Sequence, residues 1–174
     1  MGTTQRHQPW KFGDPSPTKS AAPLSAVLIA KGDAVGQAVA GGITGATSAG
    51  AITEGMPYPA SDQPWDTDLA TTQENFHDRF LGVSQSRSKS GETDPVVVNT
   101  RGVHEFDCAS ASFKNGALVG MAKQSGNLLE DKKVAAVASA ALAIGRVYGD
   151  HTSVTKVLVE VFGTINHGGP QVPA

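Results

Sequence analysis

Gly32-Asp33-Ala34-Val35-Gly36 recurs 116 − 32 = 84 residues later as Gly116-Ala117-Leu118-Val119-Gly120. The segments downstream of the two copies also match. Phe80-Leu81-Gly82-Val83 answers Ala143-Ile144-Gly145-Arg146-Val147, at an offset of 145 − 82 = 63. Val96-Val97-Val98-Asn99 answers Val157-Leu158-Val159-Glu160, at 157 − 96 = 61. The order is kept while the offset shrinks, so the first half carries an insertion of about 22 residues. The pattern predicts a mainly β protein: a small duplicated barrel- or sandwich-like body, one short inserted helix and an extended N-terminal arm.

Composition agrees. The 174 residues suit one domain, able to bury about 70% of its unfolded surface. Hydrophobic residues make up 39% and charged residues 17%, both low. Twenty Gly and ten Pro interrupt the chain too often for a helical bundle and favour short strands with tight turns. The core should be thin, built of Val, Ile, Leu and Ala, so part of the stability is expected from neighbours in an oligomer.

The formal charge is −2 and there is no basic run, so the electrostatic footprint of a nucleic-acid binder is missing. A lone Cys108 excludes an intramolecular disulfide and any multi-cysteine metal site. No apolar run approaches the roughly 20 residues needed to span a bilayer, and the N-terminus lacks the apolar core of a signal peptide. The expectation is a protein without a membrane partner, made in a cytoplasm and used there or packaged from it.

Residues 1–23 form a Pro-rich arm, with Pro9, Pro15, Pro17 and Pro23 breaking any helix or central strand. Trp10 and Phe12 sit among them. Such aromatics need a surface, either the arm's own body or a neighbouring subunit; plain disorder is the third reading. The body spans 24–162, with repeats 24–108 and 109–162, and a tail occupies 163–174. Leu24 to Lys31 reads as the first strand, and the Gly-rich stretch 40–55 as short hairpins. The insertion lies within 56–80. There Leu69, Thr72, Gln73, Phe76 and Phe80 share one helix face, capped by Asp66 or Thr67. Phe76 and Phe80 should pack this helix on the body, with Trp65 anchoring its start. Residues 84–94 read as a surface loop. Val96 to Thr100 is a strand, Arg101-Gly102 a turn or bulge, and Val103 to Cys108 alternates. The Ala-rich run 134–144 fits a helix, or a strand, a turn at Ser139 and a second strand. Lys156 to Phe162 closes the body as a strand.

No constellation carries chemistry. The Gly-rich run 41–50 lacks the Gly-Lys-Ser/Thr ending of a phosphate loop, and neither a G-x-G-x-x-G nor a Gly-x-Ser-x-Gly motif occurs. The five His residues stand singly, none at the spacing that puts two on one helix face. His104 and Cys108 share a strand face but stand roughly 13 Å apart, at about 3.3 Å per residue, too far for a nucleophile and its base. His104 is expected half-buried with one backbone partner, and Cys108 buried and structural. Asp66, Asp68, Glu74 and Asp78 read as a solvated helix face. No catalytic, metal-ligating or cofactor-binding residue is assigned, and no enzyme activity is expected. Trp10, Phe12 and Trp65 are the candidate contact residues.

Lys31-Gly32-Asp33-Ala34-Val35, Phe80-Leu81-Gly82-Val83 and Leu142-Ala143-Ile144-Gly145-Arg146-Val147, with Val154 to Val161, resemble segments of the capsid cement (head decoration) proteins of tailed bacteriophages. A Gly-Asp-x-Val turn, an Ile/Leu-Gly-Val step and a closing Val strand recur in that family. The resemblance covers residues 24–162, while the Trp65–Phe80 insertion and the long arm depart from the compact form. It implies a non-enzymatic virion protein on the capsid exterior. Such a protein would associate as a homotrimer and clamp adjacent major capsid subunits, with neither cofactor nor nucleic acid. A tail or fibre protein, or a small-molecule- or sugar-binding β-module lined by Trp65 and its Asp neighbours, is the alternative.

Overall fold

The computed structural model describes residues 10–12, 17–47 and 49–170, with backbone alone for 10–12 and 17–19. The second half forms a closed barrel. Its strands are β9 (Arg101–Phe113), β10 (Leu118–Lys123), β11 (Leu129–Ala136), β12 (Gly145–Val147) and β13 (His151–Phe162). They run β9-β11-β10-β12-β13, and β13 pairs back onto β9. The alternation along β13 puts Val157, Val159 and Val161 inside, against Val119 and Met121 of β10 and Val134 of β11. One inward-facing row of β-branched residues per strand is what a half-buried sheet selects.

The first half is an open sheet of five strands ordered β2-β8-β7-β3-β6. These are β2 (Pro17–Lys19), β3 (Ala34–Gln37), β6 (Pro57–Pro59), β7 (Phe80–Ser84) and β8 (Val97–Asn99). A separate hairpin, β4 (Ile43–Ala46) with β5 (Gly50–Ile52), and the helix α1 (Leu69–Arg79) complete it. The remaining strand, β1 (Trp10–Phe12), pairs with β9.

The two units repeat each other bond by bond. Val35 stands opposite Gly82 as Val119 stands opposite Gly145. Gly32 N donates to Ser84 O at 2.8 Å, and Gly116 N to Val147 O at 2.8 Å. Gln85 N donates to Val97 O at 2.7 Å, and Tyr148 N to Leu158 O at 2.8 Å. The bridge Ile29–Ser88 has its counterpart in Phe113–His151. Pro17 opposite Asn99 matches Val103 opposite Glu160, so β2 is the counterpart of the start of β9. A single strand, β9, runs unbroken through residues 108 and 109.

Val35 also faces Pro59 where Val119 faces Ala136, an offset of 136 − 59 = 77. The extra length of the first unit is therefore split. Of the 84 − 63 = 21 residues, 84 − 77 = 7 fall before β6, at the β4–β5 hairpin, and 77 − 63 = 14 fall between β6 and β7, at α1. In the second unit the place of α1 is taken by a short 3-10 turn at Ala140–Leu142.

Helix α1 forms as its spacing predicts. Its cap is Asp68, one residue beyond the expected Asp66 or Thr67, with Oδ1 accepting from Thr71 N at 2.8 Å. Phe76 packs edge-on to Tyr58, ring centroids 6.2 Å apart, and lies 5.9 Å from Phe80.

Two expectations change and two are made definite. Residues 24–31 are not a strand: Val27 N closes a turn on Leu24 O, and Ile29 alone makes a bridge, because Pro23 and Ser25 favour the turn over a ladder. Of the two readings of the Ala-rich run the second holds in outline: it is strand to Ala136, a short turn follows at Ala140–Leu142 and β12 begins at Gly145, with pairing to β10 overriding helix propensity. Arg101 and Gly102 lie in β9, paired with Phe162 and Val161, and the chain changes sheet at Thr100. The described part of the tail packs on the body: α2 (Thr164–His167) comes after Gly163, whose N donates to Thr100 O at 2.8 Å, and Gly169 and Pro170 are buried.

Candidate functional site

Trp10 and Phe12 are placed by their backbones. Trp10 pairs with His104 and Phe12 with Val103, so this part of the arm adds a strand alongside the chain's own β9. The next described residues, Pro17–Lys19, pair with β8, which directly precedes β9. The rest of residues 1–16 lies outside the described part.

Trp65 is half-buried, with Lys123 Nζ 5.2 Å from its ring centroid. It lines a hollow of about 290 Å³ with Gly42, Ile43 and Thr44 of the β4 end, Gln63, Pro64 and Asp66 of the connecting loop, and Asn75 and Arg79 of α1. Asn75 and Arg79 are one turn apart, which puts them on one helix face. Arg79 Nη1 donates to Asn75 O at 3.1 Å, and Asn75 Nδ2 donates to Asp66 Oδ2 at 3.0 Å. Asp66 Oδ1 accepts from Thr67 N at 2.6 Å. Gln63 is fixed from below by Tyr58, whose hydroxyl donates to Gln63 Oε1 at 2.9 Å. Burial pushes that phenol well above its ordinary range. Arg79 Nε is enclosed and has no hydrogen-bond partner. The sequence pointed to Trp65 and Asp66. Arg79, Asn75 and Gln63 were missed, although the helical spacing that placed α1 already put Asn75 and Arg79 together.

A second polar group joins the two units. Asp131 of β11 accepts from Ser61 N at 2.7 Å and from Ser61 Oγ at 2.9 Å. Asp33 is buried in the turn before β3, with Oδ2 accepting from Ala30 N at 2.6 Å and Oδ1 lying 3.5 Å from Lys132 Nζ. Burial raises the Asp33 carboxyl to about 6, and the Asp131 charge adds to it, against the Ala30 bond and Lys132. Burial also raises Asp131, opposed by the two Ser61 bonds.

His104 departs from expectation. It is fully buried, neither ring nitrogen has a partner, and burial lowers it to about 4. It sits mid-strand, where backbone groups are consumed by the ladders to β1 and β13, leaving none for its ring. Cys108 is buried, with Sγ donating to Val154 O at 3.5 Å; burial, then Asp107, raises its thiol. That is the environment of an inert thiol. Among the described residues no three His, Cys, Asp or Glu side chains could hold a metal ion, and no helix is long and apolar enough to cross a membrane.

No protein-family model matches the chain, and no curated protein matches it in sequence.

Proposed function

We propose that the protein is a structural component of a tailed-bacteriophage virion that binds the outer face of the capsid and bridges neighbouring major capsid subunits, associating as a homotrimer on the shell. The carrying observation is the register of the motifs behind the resemblance. The Gly32-Asp33 turn leads into β3, the Leu81-Gly82-Val83 step is the strand beside it, and the same turn and step recur side by side in β10 and β12. The shared segments thus form one structural unit used twice, rather than scattered coincidences of common residues.

The physical logic of the role fits such a body. A rigid β scaffold supplies shape, and many weak contacts from repeated copies add up through effective concentration. The net charge of −2 suits an outer surface away from the packaged genome. The reading is tested by incubating the full chain with empty shells of the cognate major capsid protein, before and after expansion, and sedimenting them. Saturable co-sedimentation with expanded shells, and a higher melting temperature of those shells, is the expected result. A protein that stays folded and soluble while no shell form carries it down overturns the reading.

A further inference from the structure

We infer that the hollow between the β4–β5 hairpin and α1 is a binding site for a carboxylate, with Arg79 as its anchor. This goes beyond the shell-binding reading and does not depend on it. Every lining residue lies between Gly42 and Arg79, within the stretch holding the hairpin, the loop after β6 and α1. The second unit has neither that hairpin nor that helix between β10 and β12. The elements that distinguish one copy from the other therefore converge on one concave surface, while the scaffold they share does not.

Arg79 has donors to spare. Its guanidinium donates once, to Asn75 O, and has no ion-pair partner among the described residues. Its Nε–H is enclosed without an acceptor. A half-buried guanidinium with most of its donors unused favours an acceptor that is planar and charged, and a carboxylate matches its fork geometry. The neighbouring acid does not meet that need. Asp66 is exposed, and its two oxygens are engaged by Asn75 Nδ2 and Thr67 N. Its charge instead selects against a dianion, so a single carboxylate fits better than a phosphate. Trp65 gives the site an apolar wall for the carbon skeleton next to the carboxylate.

The carboxylate belongs either to a Glu or Asp side chain of a partner protein or to a free small molecule, and the test separates them. The ¹⁵N-labelled full chain is titrated with acetate, butyrate, acetamide, inorganic phosphate and a short Glu-containing peptide with blocked ends. The expected result is a saturable shift of the Trp65 indole N–H and the amides of Gly42 to Thr44 with carboxylates, and none with acetamide. Tighter binding of the peptide than of either free acid assigns the site to a protein partner, and tighter binding of butyrate than of the peptide to a small molecule. Arg79→Gln is expected to weaken binding by about ten- to hundredfold, with Arg79→Lys retaining part of it. No saturable shift, equal shifts with acetamide or phosphate, or undiminished binding in a folded R79Q protein would overturn the inference. The acetate–acetamide comparison on the unaltered chain keeps it testable should R79Q fail to fold.

Discussion

Gly82 and Gly145 occupy the same place in the two units. A Cβ added to Gly82 would stand 2.1 Å from Asn99 O, and one added to Gly145 would stand 2.4 Å from Glu160 O. Both lie in a strand paired on its two sides, where the next strand presses its backbone against them. Neither carbonyl can yield without breaking a ladder. Gly82→Ala and Gly145→Ala are therefore each expected to destabilise the fold by about 1–3 kcal/mol, read from urea midpoints. Gly116→Ala meets no neighbour within 4 Å, but its φ of +82° strains an alanine there, so its smaller loss would come from the backbone alone.

Asp33 gives a pH test with a definite sign. Its folded-state value of about 6 lies above the ordinary 3.8, so the folded protein holds this proton more tightly. Its contribution is fully present below 3.8 and is lost as pH rises through 6. Asp33→Asn should be more stable than the unaltered protein at pH 7.5, by up to about 3 kcal/mol. The difference should vanish towards about pH 4. Thermal unfolding across that range checks both ends.

His104 slopes the other way. Its value falls from 6.5 to about 4 on folding, so its contribution is present above 6.5 and is lost as pH falls towards 4. His104→Leu removes two buried nitrogens that have no partner. The variant should gain more stability at pH 5 than at pH 7.5, with a difference of up to about 2 kcal/mol. In the unaltered protein the Asp33 and His104 slopes oppose each other between about pH 4 and 6, so the single variants should show steeper profiles than the parent.

Asp131 and Ser61 tie the barrel to the first unit. Asp131→Ala strips the acceptor from Ser61 N and Oγ and should cost about 1–3 kcal/mol. Ser61→Ala removes only the hydroxyl bond and should cost less. Because the two side chains share that bond, a double-mutant cycle should give a coupling of at least about 0.5 kcal/mol. Additive losses would mean that the hydroxyl bond contributes nothing.

Most of the duplication is legible in the sequence alone. The Gly and Val spacings that repeat in the chain are backbone pairings in space, because close strand contact demands Gly and inward positions demand Val. Helix α1 was equally legible from its apolar face. Residues 24–31 were misread because the alternation of Val27, Leu28 and Ile29 looks like a strand, while a turn at Leu24–Val27 is decided locally. His104 could not be foreseen: whether a strand histidine finds a partner depends on which neighbours spend their backbone groups. The hollow was half visible, since Trp65 and Asp66 drew notice while Arg79 became part of it only when the helix brought its last turn beside the loop. The split of the insertion across β6 was hidden because Pro57–Pro59 shares no motif with β11.

The shell-binding role is tested most directly by electron cryomicroscopy of expanded shells of the cognate major capsid protein, decorated with the full chain. The account predicts extra density on the outer surface at local three-fold positions, into which the two-unit body fits with its sheets touching more than one capsid subunit. Shells that remain bare at saturating protein, or density confined to the tail, would contradict it.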